Sequence, residues 1–396
     1  MDRIYMDNAA TTAICPEALA AMLPCFAEHF GNASSIHGTG RDARKTLEEA
    51  RRTVAGCLGA KPAEIYFTSG GTESDNWAVK GAAFANRRKG NHIITTRIEH
   101  HAVLHTCQWL EKQGFQVTYL PVDEFGRVNP ADVEAAITDQ TILISVMAAN
   151  NEIGTIQPIA EIGKIASAHK ILFHCDAVQA VGAIPVDVNE WHVDMLSLSA
   201  HKFHGPKGVG ALYIRTGAKV EPFLHGGAQE RGRRATTENV PGIVGMAAAL
   251  EKACAHLEEN GMRLIAMRDR LIQGLLERIP YARLNGHPLY RLPGNVNISI
   301  LYVEGEALLL RLDLAGIAAS SGSACTSGSL DPSHVLLAIG LPHEVAHGSL
   351  RLSLSDINTE EEVDEVLRTL PGIVSTLRDM SPMYDDFLKE QKENGR

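Results

Sequence analysis

Seven short apolar segments alternate with helical stretches between Glu64 and Arg215, and this alternation constrains the fold more than any other feature of the chain. The segments are EIYFT, HIITT, VTYLPV, TILISVMA, ILFHCDA, MLSLSA and GALYIR. Strands that alternate with helices are typical of α/β proteins with a mainly parallel sheet. Ligands of such sheets bind at the carboxyl ends of the strands. The sequence therefore predicts a binding site built from residues that follow these segments.

The second half of the chain has a different pattern. Met246 to Ile279 is rich in Ala, Leu, Glu and Arg, which predicts a long helix broken at Asn260-Gly261. From Asn295 onward, strands such as NVNISI and SLRLSLS alternate with helices around Ala307 and Glu360. A chain of 396 residues is too long for one ordinary core. We therefore expect a smaller α+β domain at the C-terminal end.

Charge and cysteine usage exclude several classes of function. A net charge of −10 argues against nonspecific nucleic-acid binding and supplies no basic stripe for a membrane surface. The start lacks a basic leader followed by an apolar region, and no apolar run reaches about 18 residues, so neither export nor membrane insertion is expected. Seven cysteines without a CxxC pair suit a reducing compartment. These features predict a cytoplasmic protein.

Lys202 lies in the segment Ala200 to Gly208, which we expect to be an exposed turn between two buried strands. Partial desolvation at the rim of a core lowers the pKa of an ammonium group, so this lysine could form a Schiff base with an aldehyde. The alternative is an ordinary surface lysine. The neighbours favour the first interpretation: Ser199 and His201 could contact a phosphate, and Asp176 could keep a pyridine nitrogen protonated.

A glycine pair in TSGGTESDN predicts a phosphate site at the start of a helix near Thr72. Glycine allows close approach of the backbone, and the free amides of a helix N-terminus favour an anion, so Gly71 and Thr72 are the candidate cradle. A plain helix cap at Thr72 or Ser69 is the alternative.

Two further residues have the chemistry of a reactive site. Arg351, in SLRLSLS, is suited to bind a carboxylate with two parallel hydrogen bonds, although a structural salt bridge is the rival interpretation. Cys325 lies in SSGSACTSGS, whose Ser and Gly content predicts little packing and much mobility. A structural cysteine is normally buried, so Cys325 is more typical of a reactive thiolate.

The order of motifs from Asp7 to beyond Arg351 resembles the class V aminotransferase family, and within it the NifS/IscS type of cysteine desulfurase. The motifs are DNAATT, GNASSIH, TSGGTESDN, EHHAV, NNEIGT, HCDAVQA, SAHKFHGPKG, RRATTEN and SSGSACTSG. The resemblance implies pyridoxal 5'-phosphate and its fold type I. It also implies a large domain (residues 16–260) with a mainly parallel seven-stranded sheet. Residues 1–15 and 261–396 would form a smaller α+β domain with the cysteine loop.

The resemblance assigns further residues. His100 would stack on the pyridine ring and move protons, whereas His101 would not. Gln179 would bond the phenolic oxygen, with Asn151 near the same oxygen and the substrate carboxylate. Thr237 would reach the phosphate of the neighbouring subunit, which implies a homodimer. Thr236 stands where the family commonly has glycine, so strain is expected if that position has a positive φ.

The resemblance implies conversion of L-cysteine to L-alanine, with a persulfide on Cys325 and with Lys202 moving the α-proton. The sulfur would pass to an iron–sulfur scaffold of the NifU/IscU type or to another acceptor. The segments ERGRRATTEN and AHGSLRLSLS are more similar to the nitrogenase-associated NifS branch of the family. No intrinsic metal is expected, although Cys325 could ligate an iron–sulfur cluster during transfer. One alternative is a selenocysteine lyase or another class V aminotransferase. Another is a non-catalytic sulfur-carrier scaffold.

Overall fold

A seven-stranded sheet organises the larger part of the molecule. The computed structural model describes residues 3–321 and 332–393. Its strands are β1 (Ile4–Tyr5), β2 (Ile65–Thr68), β3 (His92–Thr96), β4 (Gln116–Leu120), β5 (Thr141–Ser145), β6 (Leu172–Asp176), β7 (Met195–Ser199), β8 (Gly210–Ile214), β9 (Ala282–Leu284), β10 (Asn295–Ile300), β11 (Ile317–Ala318) and β12 (Ser349–Ser353).

The large sheet has the strand order β2-β8-β7-β6-β5-β3-β4. Only β8 runs antiparallel to its neighbours β2 and β7, and the remaining pairs are parallel. The seven apolar segments of the sequence are the seven strands of this sheet, which confirms the predicted α/β fold. Because β2, β3, β5, β6 and β7 point the same way, the residues that follow them meet at one edge.

Some helices cover both faces of this sheet, and others pack against a second hydrophobic core or lie on the surface. They are α1 (Pro16–Met22), α2 (Pro24–Ala27), α3 (Gly38–Cys57), α4 (Gly71–Asn86), α5 (His101–Glu111), α6 (Pro130–Ala135), α7 (Ile159–Ala168), α8 (Val240–Ala255), α9 (Leu257–Arg278), α10 (Gly305–Leu314), α11 (His334–Ala338), α12 (His343–His347), α13 (Glu360–Arg378) and α14 (Pro382–Glu393). Apolar side chains of α3, α7 and α8 pack on one face, and those of α4 and α5 pack on the other. Within the described ranges, no helix combines the length and apolar character that a membrane crossing requires.

A second hydrophobic core forms around the antiparallel sheet β12-β10-β9. Helices α9, α10 and α13 contribute side chains such as Leu271, Leu308 and Val366 to it. The start of the chain joins this core, since β1 pairs with β11 and Met6 is buried there. The exact domain limits, residues 1–15, 16–260 and 261–396, remain a prediction.

The predicted helix break at Asn260-Gly261 is wrong. The chain bends at His256, between α8 and α9, and Gly261 lies inside α9. A side chain at Gly261 would meet no atom within 4 Å, so nothing in the packing requires glycine there. One glycine costs a helix only about 1 kcal/mol relative to alanine, which a 22-residue helix with a buried apolar face tolerates.

A buried ion pair fixes the turn of residues 229–232 against the large sheet. The two terminal nitrogens of Arg51, on α3, each lie 2.8 Å from a carboxylate oxygen of Glu230. The same carboxylate accepts a hydrogen bond of 3.0 Å from the backbone N–H of Phe67 in β2. Both charged side chains are only 3% exposed. The pair therefore connects β2, whose end leads into TSGG, to the turn that precedes Thr236.

We predict that Glu230→Ala lowers the free energy of unfolding by about 3–5 kcal/mol, because it leaves the Arg51 guanidinium buried and unpaired. Urea denaturation at fixed protein and cofactor concentration measures the change. Glu49→Ala is the control, since its carboxylate lies 4.0 Å from Lys45 on the exposed surface of α3 and should matter little. A Glu230→Ala protein as stable as wild type contradicts this role for the pair.

Candidate active site

The residues that follow the parallel strands line one cleft at the carboxyl edge of the sheet. Among the site residues predicted from the sequence that the structure describes, all but Thr237 lie there. The lining residues are Ala9, Ala10, Gly71, Thr72, Asp75, His100, Met147, Asn151, Asp176, Val178, Gln179, Ser199, His201, Lys202 and Arg351. The cleft therefore combines an amine, several carboxyl groups, a helix N-terminus and an arginine.

Lys202 reaches the cleft from a short 3₁₀ turn, Ala200–Lys202, which directly follows β7. Its Nζ donates hydrogen bonds to the carbonyl oxygens of Ala9 and Ala10, at 2.5 and 2.8 Å. The predicted exposed turn is thus only partly exposed: Ala200 and Phe203 are buried and Lys202 is half-buried. The turn is held by the start of the chain, because the N–H and hydroxyl of Thr12 both donate to the His201 carbonyl.

Asp176 ends β6 and is buried beside this lysine. Its Oδ1 accepts a hydrogen bond of 2.9 Å from the backbone N–H of Val178, so the carboxylate also caps the turn that follows. Burial raises the pKa of Asp176 to about 6, while the N–H of Val178 and the charge of Lys202 act in the opposite direction. A cationic N–H facing this carboxylate would keep it ionised. Gln179 lies in the same turn and donates from Nε2 to the Ala9 carbonyl at 3.1 Å.

The start of α4 forms an anion cradle together with residues from β7. Gly70 has a φ of 153°, and a Cβ on Gly71 would lie 2.6 Å from Cγ2 of Val178. Glycine is thus required for the backbone to pass this close, and α4 starts without any side-chain cap. The alternative of a plain cap at Thr72 or Ser69 is therefore wrong: Gly70 precedes the helix, which leaves the first amides available to a ligand.

His201 and Ser199 flank this cradle. The Nδ1 of His201 lies 3.1 Å from the hydroxyl of Thr11, and Ser199 is buried against the glycines. Burial lowers the pKa of His201 to about 4, with Lys202 and Lys207 adding to the effect. A neutral imidazole can donate a hydrogen bond to a phosphate without supplying charge. The positive end of α4 therefore supplies most of the local attraction for an anion.

His100 caps the N-terminus of α5 from within the cleft. Its Nδ1 accepts a hydrogen bond of 3.1 Å from the backbone N–H of Ala102. Burial and, to a smaller extent, the charge of Lys202 together lower the pKa of His100 to about 4. The ring is thus neutral near pH 7 and carries its proton on Nε2. His101 does not line the cleft, and its ring lies 4.8 Å from that of His334.

Arg351 lies on β12 and reaches the cleft from the C-terminal part of the chain. One terminal nitrogen donates to the carbonyl oxygen of Asn151 at 2.9 Å, and the other donates to Oδ1 of Asp7 at 2.9 Å. Arg351 therefore also forms a structural salt bridge with Asp7, which was the alternative interpretation of this residue. Nevertheless, Nε of Arg351 has no hydrogen-bond partner among the residues that the structure describes. Because Arg351 also lines the cleft, its guanidinium is placed where a ligand carboxylate could meet it.

Sequence reasoning missed three buried carboxyl groups around this cleft, those of Asp75, Glu99 and Glu152. Burial raises the pKa of all three, to about 8 for Glu99 and about 7 for Glu152. Asp75 was detectable, because it precedes Ala78 and Val79 by three and four positions on the buried face of α4. Glu99 has no such signal, since it lies in an irregular segment whose direction only the fold determines.

Glu152 connects the cleft to the segment that follows the predicted cysteine loop. The Ser333 hydroxyl donates a short hydrogen bond to Oε2 of Glu152, and it accepts from the backbone N–H groups of Val335 and Leu336 at the start of α11. On the other side of the loop, Ser320 pairs with the backbone of Arg351 at 2.7 and 3.2 Å. Both flanks of residues 322–331 are therefore attached beside Arg351.

One predicted site residue within the described ranges lies elsewhere. Thr237 is on the surface, outside the cleft of its own chain. Its neighbour Thr236 has a φ of 140°, so the strain expected from threonine at this position is present. Cys325 lies outside the described residues.

The donor set fits pyridoxal phosphate. The cofactor needs a primary amine for its aldehyde, a buried carboxylate for its ring nitrogen and an anion site for its phosphate. Lys202, Asp176 and the glycine-lined start of α4 supply these groups in one cleft. The cradle at Gly71 and the buried carboxylate beside an amine are features that an ordinary structural cleft does not require.

Comparisons with known proteins agree with this chemistry. Residues 4–366 match the family described as aminotransferase class-V. The chain is 62% identical over 380 residues to the cysteine desulfurase IscS of Methanosarcina thermophila, covering 96% of this chain and 94% of that protein. It is 57% identical over 393 residues to the cysteine desulfurase IscS of Clostridium botulinum, with 99% of both chains covered.

Solved structures of similar proteins have the same fold as this chain. A NifS-like protein superimposes with a TM-score of 0.90 at 42% identity, covering 95% of this chain and 100% of that one. A structure described as SspA in complex with cysteine has a TM-score of 0.79 at 37% identity, covering 90% of this chain and 100% of the other.

We predict that the stability of Glu99→Gln falls less than that of wild type as the pH rises from about 4.5 to about 8. The folded pKa of Glu99, about 8, is above its ordinary value of 4.5, so the stability that its protonated form contributes is lost as pH rises between these values. Glutamine keeps the Oε1 that accepts from Thr96 and Met147 but does not titrate. The advantage of the variant over wild type should grow by up to about 1.4 kcal/mol per pH unit.

Urea denaturation at pH 5.5, 6.5 and 7.5 measures this difference. Glu49→Gln on the exposed surface of α3 controls for the loss of one negative charge. A difference between Glu99→Gln and wild type that stays constant from pH 5.5 to 7.5 contradicts a buried, protonated Glu99.

Proposed function

The chain belongs to the class-V aminotransferase family, and we propose that its cleft carries out the cysteine desulfurase reaction with the residues assigned below. The protein is a pyridoxal-phosphate-dependent cysteine desulfurase, which converts L-cysteine to L-alanine and retains the sulfur for transfer. The observation that carries the assignment of residues is the meeting of Lys202, Asp176, the start of α4 and Arg351 in one cleft.

Several residues would hold the cofactor. When bound, pyridoxal phosphate supplies an electron sink for negative charge at the substrate α-carbon. Lys202 would bind its aldehyde, and Asp176 would keep the ring nitrogen protonated. Gln179 would donate to the phenolic oxygen and His100 would lie against the ring. The remaining contacts would be to the phosphate: Gly71, Thr72, Ser199, His201 and, from the neighbouring subunit, Thr237.

Arg351 and Asn151 would orient the substrate. The guanidinium of Arg351, which lines the cleft, would bind the α-carboxylate. Asn151 is held in place because its carbonyl oxygen accepts from the same arginine. Asp7 accepts a hydrogen bond from the other terminal nitrogen of Arg351 and so helps to fix the orientation of the guanidinium. Such positioning reduces the entropy lost when the α-carbon approaches the lysine amine.

Proton transfer at the α-carbon would be the task of Lys202. As a free amine its Nζ can accept the α-proton, and as an ammonium it can return a proton. The carbonyl oxygens of Ala9 and Ala10 accept from Nζ and would stabilise its charged form. His100 is neutral with its proton on Nε2, so it can donate a hydrogen bond from that atom.

Sulfur transfer would use Cys325 as a thiolate. The thiolate would attack the substrate sulfur, so that an S–S bond forms while the substrate C–S bond breaks and its carbon is protonated. The products are L-alanine and a persulfide on Cys325. Ser320 and Ser333 support this role, because they attach the chain on both sides of Cys325 close to Arg351 and Asn151.

A homodimer and a sulfur acceptor are the partners we propose. Apolar side chains between 46% and 91% exposed occur within residues 19–36, which is more exposed apolar surface than an isolated chain normally presents on one short segment. They are Leu19, Leu23, Phe26, Phe30 and Ile36. The acceptor would be an iron–sulfur scaffold of the NifU/IscU type or another thiol-bearing protein. A cytoplasmic location and a nitrogenase-associated role remain predictions.

We predict that Cys325→Ala abolishes sulfide release from L-cysteine in the presence of a thiol reductant, because no persulfide can form. The variant should still bind pyridoxal phosphate and keep the visible absorption of the bound cofactor, since Lys202 and Asp176 are unchanged. Cys254→Ser, which alters a thiol on α8 outside the cleft, is the control and should retain activity.

The alternatives give different results. A class V aminotransferase or a selenocysteine lyase that does not need this thiol would process its substrate equally well with Cys325→Ala. A non-catalytic sulfur-carrier scaffold would not turn over L-cysteine even as wild type. Sulfide release by Cys325→Ala at the wild-type rate contradicts the persulfide route.

A further inference from the structure

His204 has a backbone conformation that is uncommon for a residue other than glycine. It comes two positions after Lys202, and its φ is 63°. A side chain in this left-handed region costs energy, so the conformation persists only where surrounding contacts hold it, often near functional sites. His204 is not one of the residues that line the active-site cleft. The contacts that hold it therefore serve a purpose outside the cleft itself.

The start of the chain holds His204 through three hydrogen bonds. The backbone N–H of His204 donates to the hydroxyl of Thr12 at 2.9 Å, and its carbonyl oxygen accepts from the N–H of Cys15 at 2.9 Å. On the ring, Nδ1 lies 2.9 Å from the carbonyl oxygen of Ala13. A carbonyl oxygen can only accept, so Nδ1 carries a proton and donates it to this bond. These contacts fix the orientation of the imidazole ring.

The other ring nitrogen of His204 faces the second core. Nε2 lies 2.9 Å from Oδ1 of Asp356, which follows the end of β12 by three residues. The two groups form an ion pair, although this Oδ1 accepts no well-aligned hydrogen bond within the described ranges. Contact with His204 is the main cause that lowers the pKa of Asp356, and the charges of Lys252 and Arg263 add to it, while burial acts in the opposite direction. A carboxylate at Nε2 and a carbonyl oxygen at Nδ1 together favour the positively charged ring.

Asp356 is itself attached to the second core. A terminal nitrogen of Arg263, on α9, donates to its backbone carbonyl oxygen at 2.6 Å. Arg351 lies on β12, five residues before Asp356. The ion pair therefore joins the turn that carries Lys202 to the segment that carries Arg351. The side chains of His204 and Asp356 are only 15% and 27% exposed, so water screens their attraction less than that of a surface pair.

We propose that His204 and Asp356 form a positioning pair, which sets the separation of Lys202 and Arg351 and so raises the affinity of the cleft for an amino-acid carboxylate. This inference rests on the proposed function, in which the substrate amine lies near Lys202 while its carboxylate binds Arg351. A ligand that spans two anchors binds best when their separation is already matched to it. Neither member of the pair lines the cleft, so each acts through the residue that it holds in place.

Ligand binding to the full-length holoenzyme tests the positioning pair without any need for turnover. L-Alanine has the carboxylate that Arg351 would bind, and ethylamine is the same molecule without it. Each is titrated while the visible absorption of the bound cofactor is recorded. His204→Gln and Asp356→Asn should weaken L-alanine binding by about three- to tenfold and change ethylamine binding by less than about twofold. His169→Gln is the control, because it alters a surface contact of 3.7 Å with Glu134, and it should bind both ligands as wild type does.

The double variant and the kinetics separate positioning from a general effect on stability. Combining His204→Gln with Asp356→Asn should weaken L-alanine binding no further than either change alone, because each by itself breaks the pair. With L-cysteine, KM should rise by a similar factor while kcat stays within about twofold of wild type. The cofactor absorption and the apparent Tm of each variant show that it is folded and loaded.

Two results would overturn the positioning pair. One is L-alanine binding of wild-type affinity in both single variants. The other is an equal loss of affinity for L-alanine and ethylamine, which would mean that the substitutions damage the cofactor site rather than the placement of Arg351. A wild type that binds L-alanine but releases no sulfide from L-cysteine would instead contradict the proposed function, and the L-alanine titration would still decide on the pair.

Discussion

The active site depends on one electrostatic constraint: the amine of Lys202 and the buried guanidinium of Arg351 need polar partners at an edge of the sheet that is largely closed to water. Asp176 lies close enough to Lys202 for the lysine charge to lower the pKa of its carboxyl group, and Asp7 accepts a hydrogen bond of 2.9 Å from Arg351. An unpaired charge at such a depth would cost several kcal/mol. The start of the chain supplies Asp7 and the carbonyl oxygens of Ala9 and Ala10. This segment is therefore part of the site.

The sheet topology explains why these groups meet. Lys202, Asp176 and Gly71 are far apart in sequence but follow β7, β6 and β2, whose carboxyl ends share one edge. Arg351 comes from the second core on β12 and contacts the Asn151 carbonyl, so the site lies where the two cores meet. The active site thus needs both parts of the chain in a fixed relation. The buried Arg51–Glu230 pair similarly attaches a distant turn to β2, the strand that leads to Gly71.

Much of this arrangement could be predicted from the sequence, for physical reasons that differ between residues. The strands were predictable because their apolar segments are short and separated by helical stretches, and Gly71 because a glycine pair before a helix has few other uses. The prediction of a helix break at Asn260-Gly261 was wrong because residues that disfavour a helix do not show which face of that helix packs against a core. Glu99 and Glu152 were missed because their burial arises from contacts with distant segments such as Met147 and Ser333.

Lys202 is the residue to which we assign the cofactor aldehyde, and borohydride reduction of the holoenzyme can identify that residue directly. Reduction fixes pyridoxal phosphate covalently to the amine that holds it, and peptide mass spectrometry then locates the modified lysine. We expect a pyridoxyl group on the peptide that contains Lys202, and none on Lys207 in the same segment. Modification of a different lysine, or of none, would contradict it.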